Sequence, residues 1–217
     1  KGDFIMKYLT YNPTLTPKKY PPWNKGKLIG QRPPLKQHEI WSIRTRLEIS
    51  ENVQELALFN LAIDSKLRGG DLTKIRVNDI SNGSRVQKRA IVMQQKTKTP
   101  VQFEITKLTR ESISNLINMN NLKYSDYLFT SRLSSSEHLS TRQYSRILKT
   151  WVSMIGLDPM EYGTHSLRRT KATLIYKRTK NLRAVQILLG HKKIESTVQY
   201  LGVEVEDALE MAEMTEI

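Results

Sequence analysis

Cysteine is missing from the 217 residues. Its absence excludes a disulfide scaffold, cysteine-ligated zinc and any thiol nucleophile, and it fits a reducing cytoplasm. Long apolar runs are missing too. The longest candidate, Leu56 to Ile63, is interrupted by Asn60 and is too short to span a bilayer, and the N-terminus carries no signal-peptide core. No membrane partner is therefore expected. Histidine, aspartate and glutamate form no cluster with metal-ligand spacing, so neither a metal nor another cofactor is expected. Tryptophan is scarce, and Trp23, Trp41 and Trp151 read as packing residues rather than base-stacking platforms. Acid is the scarcer charge: 21 Asp and Glu stand against 35 Lys and Arg, a net +14. A soluble chain this basic most often meets a polyanion, usually nucleic acid.

The charge is unevenly placed. Residues 1–35 hold seven Lys and Arg against one Asp, whereas residues 201–217 hold six acids and no Lys or Arg. A basic body with an acidic tail implies that the body grips phosphates and the tail serves another purpose. The first 35 residues also contain Pro13, Pro17, Pro21, Pro22, Pro33 and Pro34, a density that leaves no apolar period, so an extended arm is expected there. The reading is an arm over 1–35, a catalytic domain over 36–200 and an acidic tail helix over 201–217. In that tail Val205, Leu209 and Ala212 form a narrow apolar stripe.

Regular structure is expected from Lys36 onwards. Ile40, Ile43 and Leu47 stand at helical spacing, and Val53, Leu56 and Asn60 continue in a second helix ending near Leu67, at the Gly69-Gly70 break. Arg85 to Gln94 reads as a strand, Thr97 to Pro100 as a turn, and Val101, Phe103 and Ile105 as the returning strand of a hairpin. Helices follow over about 109–121, 140–155, 165–179, 181–189 and 194–200, with a serine-rich surface loop at 131–136. The class is α+β, mainly helical, with a small antiparallel sheet.

Chemistry gathers late in the chain. His165 and Arg168 are three apart and share one helix face. Leu188-Leu189-Gly190-His191 follows, then Tyr200, and Arg68 lies upstream in Leu67-Arg68-Gly69-Gly70-Asp71. Each pattern alone is weak. As an ordered set, with Lys96 in the hairpin and nine residues between His191 and Tyr200, they resemble the tyrosine recombinases, or phage-type integrases, over about residues 36–205. The front differs from most of that family. Only a proline-rich arm of about 35 residues stands where a helical core-binding domain is usual: either the chain is a fragment, or, as the reading favours, it resembles the short recombinases of the fimbrial-inversion type.

The resemblance implies catalytic roles for Arg68, Lys96, His165, Arg168, His191 and Tyr200, and elementary chemistry supports them. Phosphodiester cleavage without a metal needs a nucleophile, a proton acceptor, cations for the non-bridging oxygens and an acid for the leaving oxygen. Tyr200 supplies a hydroxyl that can hold a phosphoryl group covalently. Arg68 and Arg168 supply planar forks. Lys96 reaches from a hairpin tip to protonate the 5′ oxygen, with Lys98 as its competitor. His165 takes or returns the tyrosine proton, and His191 donates to a phosphate oxygen. Asp71 is either the family's acidic brace or a helix N-cap. Arg169, Lys171, Lys177 and Arg178 divide between a solvated face and phosphate contacts, and His38 and His138 receive no role.

These expectations describe a site-specific recombinase that cuts double-stranded DNA through a 3′-phosphotyrosine and, by resemblance, assembles as a tetramer on two sites. Two rivals share parts of the pattern. A type IB topoisomerase would use the same chemistry, although the short chain and Leu-Leu-Gly-His argue against it. A DNA-binding regulator or architectural protein would have no need of Tyr200.

Overall fold

The computed structural model describes residues 31–83, 85–131, 137–202 and 213. Residues 1–30 of the arm expected over 1–35, the core of the serine loop and the stripe of Val205, Leu209 and Ala212 lie outside the described residues. The expected mainly helical α+β architecture is present, with helices arranged around two small hairpins.

The second helix is the axis of the core. Helix α1 (Gln37–Ile49) buries Ile40, Ile43 and Leu47 against α2 (Val53–Ser65), in which every residue from Ala57 to Ser65 is buried. Asn52 opens α2 by accepting a hydrogen bond from the Glu55 backbone N–H at 3.2 Å. Its end differs from expectation. The chain stops being helical at Lys66, which adopts a left-handed backbone with φ 54°, and Gly69-Gly70 opens a new short helix, α3 (Gly69–Leu72). The side chain explains this unusual choice. Lys66 Nζ donates to the Asp64 carbonyl at 2.5 Å and to both Glu104 carboxylate oxygens at 3.0 and 3.1 Å. A bend usually given to glycine is thus held by a buried ammonium.

Helix α4 (Val77–Ile80) leads into two separate hairpins: β1 (Ser81–Asn82) with β2 (Arg85–Val86), and β3 (Arg89–Met93) with β4 (Pro100–Glu104). The expected strand from Arg85 to Gln94 is therefore broken. At the break the chain changes partners, since Gln87 donates to the Ile80 carbonyl at 2.9 Å and the Lys88 carbonyl accepts from Ile105 at 2.8 Å. In the longer hairpin Ala90 opposes Phe103 and Val92 opposes Val101. This register buries Ala90, Val101 and Phe103 and leaves Ile91 and Met93 outside, as period-two alternation requires.

The remaining helices are α5 (Lys107–Met119), α6 (Thr141–Ser153), α7 (Thr164–Thr179), α8 (Leu182–Leu189) and α9 (Ile194–Leu201), each within about two residues of its expected span. Ser140 and Gln143 close a capping box at the start of α6. Trp151 is buried, donates to Glu55 Oε2 at 2.7 Å and meets the Phe59 ring edge-on at 5.3 Å. Trp41, expected as a packing residue, is instead 54% exposed beside Arg44. A second, smaller core made of Ala172, Tyr176, Val185 and Leu189 joins α7 to α8, and Tyr200 and Leu201 of α9 pack on its edge.

Candidate active site

Local rules place each reactive side chain. Arg68 is the N-cap of α3, in extended conformation directly after the Lys66 bend. Its Nη1 donates to Gln94 Oε1 at 2.6 Å, which aims the guanidinium across the hairpin root. Asp71 is the third residue of α3 and not its N-cap. Its carboxylate accepts from the Gln95 backbone N–H at 2.9 Å and so braces the hairpin turn.

That turn runs from Gln94 to Thr99. Gln94 N–H donates to the Thr99 carbonyl at 3.0 Å, Lys98 N–H donates to the Gln94 carbonyl at 2.9 Å, and Lys98 has φ 51°. Lys96 and Lys98 are both exposed at its tip. Lys96 is the one whose charge reaches His165.

Helix α7 begins at Gly163, whose N–H donates to Ser166 Oγ at 3.1 Å. His165 lies in its first turn and Arg168 one turn on. Arg168 is only 2% exposed. Its Nη2 donates to the Leu189 carbonyl at 2.8 Å, whereas its Nη1 is buried with no hydrogen-bond partner among the described residues. Gly190 ends α8 in left-handed conformation, φ 66°. A Cβ there would lie 2.4 Å from a Val101 methyl, so only glycine lets α8 close on the hairpin. His191 follows, its Nδ1 3.1 Å from Thr197 Oγ1. Tyr200 comes two turns later on α9, half-buried, with its ring perpendicular to the His191 ring at 5.3 Å and its hydroxyl donating weakly to the His165 carbonyl at 3.4 Å.

The structure thus brings Arg68, Lys96, His165, Arg168, His191 and Tyr200 within electrostatic reach of one another. Electrostatics bear the mark of that convergence. Loss of hydration and then the Arg168, Arg68, Arg169 and Lys96 charges lower the His165 pKa. Burial, Arg168 and Arg68 lower His191 from 6.5 to about 4, so this imidazole is neutral at pH 7. Burial raises the Tyr200 phenol, and Arg168, Arg169 and Arg68 work against it. Among the described residues, none of the three arginines forms an ion pair with a carboxylate. Unneutralised cations around a phenol make a receptor for a tetrahedral anion.

Two expectations need correction and one residue escaped notice. Arg169 and Lys171 belong neither to a solvated face nor to a phosphate-binding one. Arg169 is buried against Tyr200 and Arg32, and Lys171 pairs with Asp64 and Glu104, both at 2.6 Å. Lys177 and Arg178 are exposed. The unnoticed residue is Gln94, fully buried, which accepts from Arg68 and Thr97 and donates to the Leu189 carbonyl. A lone glutamine at a strand end carries no periodic signal that would reveal such a hub.

A helical domain with two small hairpins, and cations converging on a single tyrosine, define the catalytic-domain class of the tyrosine recombinases. The chain belongs to the phage integrase family, whose sequence profile matches residues 34–206. It is 29% identical to the probable integrase/recombinase YoeC of Bacillus subtilis, covering 72% of this chain and 81% of that one. It is 32% identical to a tyrosine recombinase of Pseudothermotoga lettingae, covering 74% of this chain and 54% of that one. Among solved structures, the XerA recombinase superposes with a TM-score of 0.69 at 18% identity, covering 85% of this chain and 66% of that one. The XerH site-specific recombinase bound to its difH substrate superposes with a TM-score of 0.65 at 16% identity, covering 84% and 55%. At such identities the superpositions establish the fold. The chain spans little more than half of the Pseudothermotoga protein and of the XerH chain.

Proposed function

We propose that this chain cuts and rejoins double-stranded DNA at specific sites, using Tyr200 as nucleophile. The observation that carries the reading is the buried, unpartnered Nη1 of Arg168 beside the half-buried Tyr200, in a cleft whose arginines lack carboxylate partners. A buried donor without an acceptor is costly, by about 1–3 kcal/mol, and a non-bridging phosphate oxygen would satisfy it. Tyr200 Oη attacks phosphorus, the bond from phosphorus to the 5′ oxygen breaks, and a 3′-phosphotyrosine forms. The phenolic proton passes to His165, Lys96 gives a proton to the departing 5′ oxygen, and Arg68, Arg168 and His191 hold the non-bridging oxygens. Rejoining reverses these transfers with a 5′ hydroxyl from another strand.

The wider assembly belongs to the same proposal. Four protomers would meet on two DNA sites in the bacterial cytoplasm. Residues 1–35 would form a basic arm on DNA whose last five residues pack on the body, 36–200 the catalytic domain, and 201–217 an acidic helix that docks into a neighbouring protomer.

A nicked suicide duplex tests the reading, because loss of the short 5′ fragment traps the covalent complex. The wild type is expected to form a protease-sensitive adduct, and Tyr200→Phe to form none while retarding the same duplex in a gel. An adduct with the Phe variant would move the nucleophile elsewhere. Binding without any wild-type adduct would favour a regulator on this fold.

A further inference from the structure

The residue after Arg168 is buried against the residue that carries the reactive phenol. Arg169 Nε donates to the Tyr200 carbonyl at 2.7 Å, and its Nη2 donates to the same oxygen. Its Nη1 donates to the Arg32 carbonyl at 2.7 Å, and the guanidinium centre lies 5.1 Å from the Tyr200 ring. We propose that Arg169 is a positioning residue that fixes Tyr200 in the cleft by clamping its backbone to the chain segment leading into α1. The proposal rests on the reading of Tyr200 as the nucleophile.

Three observations support the clamp. The first is that α9 is short and lightly buried, packing only the edge of the second core. It is eight residues long, Thr197 is its only buried residue, and Gly202 ends it in left-handed conformation. A helix this short is marginal without tertiary bonds. A guanidinium on its last-turn carbonyls is favourable both as a cap and as a cation at the negative end of the helix.

The second is that the far jaw is itself anchored. Arg32 donates through its side chain to the Tyr162 carbonyl and passes over Gly163, where a Cβ would lie 2.9 Å from Arg32 Nη1. Leu35 N–H donates to Thr170 Oγ1 at 3.0 Å, and Gln31 donates to the Gln199 carbonyl. Residues 31–35 therefore touch both α7 and α9, and Arg169 stands between the two.

The third is the contrast with Arg168. Arg168 keeps a buried donor free for an incoming oxygen, whereas all the donating nitrogens of Arg169 have protein carbonyls. A planar fork can hold two carbonyls on different segments at once, and a lysine ammonium cannot reproduce that geometry. Attack on phosphorus needs alignment, and a displacement of about 1 Å can cost on the order of a hundredfold in rate.

The test uses the full chain, a nicked suicide duplex and single-turnover cleavage between pH 6 and 9. Arg169→Lys keeps the charge and loses the fork. It is expected to cleave about tenfold to a hundredfold more slowly, with duplex affinity and the pH dependence of cleavage unchanged. Arg169→Gln loses both, so its cleavage is also expected to rise at higher pH than in wild type, because a cation that favours ionised Tyr200 is gone. Arg32→Ala loosens the far jaw without touching Tyr200, and a smaller loss of rate with an unmoved pH profile is expected. It serves as the independent variant if substitutions at Arg169 impair folding. Weakened duplex binding with a shallower salt dependence would overturn the proposal, since Arg169 would then be a phosphate contact. Lower melting temperature with wild-type cleavage per folded molecule would also overturn it, as would an Arg32→Ala protein that cleaves at the wild-type rate. If wild type itself forms no adduct, the failure lies with Tyr200 as nucleophile rather than with Arg169.

Discussion

Two groups of buried or half-buried cations lie along the same two stretches of chain and have opposite surroundings. Lys66 and Arg68 are two residues apart, and Lys171 and Arg168 are one turn apart on α7. Lys66 and Lys171 face Asp64 and Glu104: the Lys66 side chain is fully buried against Glu104, and Lys171 bridges both carboxylates at 2.6 Å. Asp64 also accepts from the Thr106 N–H and from the hydroxyls of Thr106 and Thr109, which ties the ends of α2 and β4 to the start of α5. Among the described residues, Arg68 and Arg168 meet neutral groups, Gln94, the Leu189 carbonyl and the Tyr200 ring. The first group is neutralised inside the protein and holds the frame. The second has no internal carboxylate among the described residues, and under the proposed function it receives an anion from outside. Burial alone does not mark a cation as functional; the absence of a carboxylate does.

The largest expected effect would come from breaking the neutralised group. Asp64→Ala strips Lys171 of one carboxylate and removes the acceptor of three further donors. Lys171 keeps Glu104, but the cluster loses one carboxylate and three donors lose their acceptor, a combined cost of about 3–5 kcal/mol, to be read from urea unfolding. Cleavage by the remaining folded protein should persist. A variant of wild-type stability that no longer cleaves would place Asp64 in the active site and erase the distinction.

A loss of about 2.7–4 kcal/mol, in transition-state stabilisation rather than folding, is expected for Arg168→Lys. Lysine can still donate to the Leu189 carbonyl but has no second amino group for a phosphate oxygen. Single-turnover cleavage should fall by about a hundredfold to a thousandfold with the melting temperature little changed. The reverse pattern, a destabilised protein cleaving at the normal rate, would assign Arg168 to the frame.

The helices and the long hairpin were legible in the sequence because their signals are local. Ile40, Ile43 and Leu47 repeat at the helical period, and Val101 and Phe103 alternate. The six candidate residues stood out as an ordered set, since their types and spacings resemble those of a known family. The partners that aim them were not. Gln94, which holds Arg68, reaches Leu189 across 95 residues of chain, and Lys171 meets Asp64 across 107. Periodicity says nothing about which polar groups meet at such separations. Lys66 was hidden for another reason: a left-handed bend normally advertises itself with glycine, and here a buried ion pair replaces it. Arg169, beside Arg168 in a basic stretch, has the same type as a phosphate ligand, and only its acceptors show otherwise.

The smallest effect should separate the two groups by pH. The site histidines have pKa values below the ordinary 6.5, so as pH falls below that value the unfolded chain takes up protons that the folded cleft refuses. Stability should decline from about pH 6.5 towards the His191 value of about 4. Asp64 and Glu104 are shifted below their ordinary 3.8 and 4.5, so their contribution is complete above those values and is lost only as pH falls through the lowered ones. The acid limb should therefore come in two parts, the upper one from the cleft and the lower one from the frame. His191→Asn should flatten the upper part and leave the lower. A phosphate in the cleft supplies the missing anion, raises the imidazole pKa values and so makes DNA binding take up protons. Duplex affinity should then increase as pH falls from 7 to 5, by at most about tenfold per pH unit for each proton gained. The increase should be smaller in His191→Asn. If affinity is indifferent to pH over that range, the DNA phosphate does not enter the cleft formed by Arg68, Arg168 and His191, and the contrast between the two cation groups loses its functional meaning.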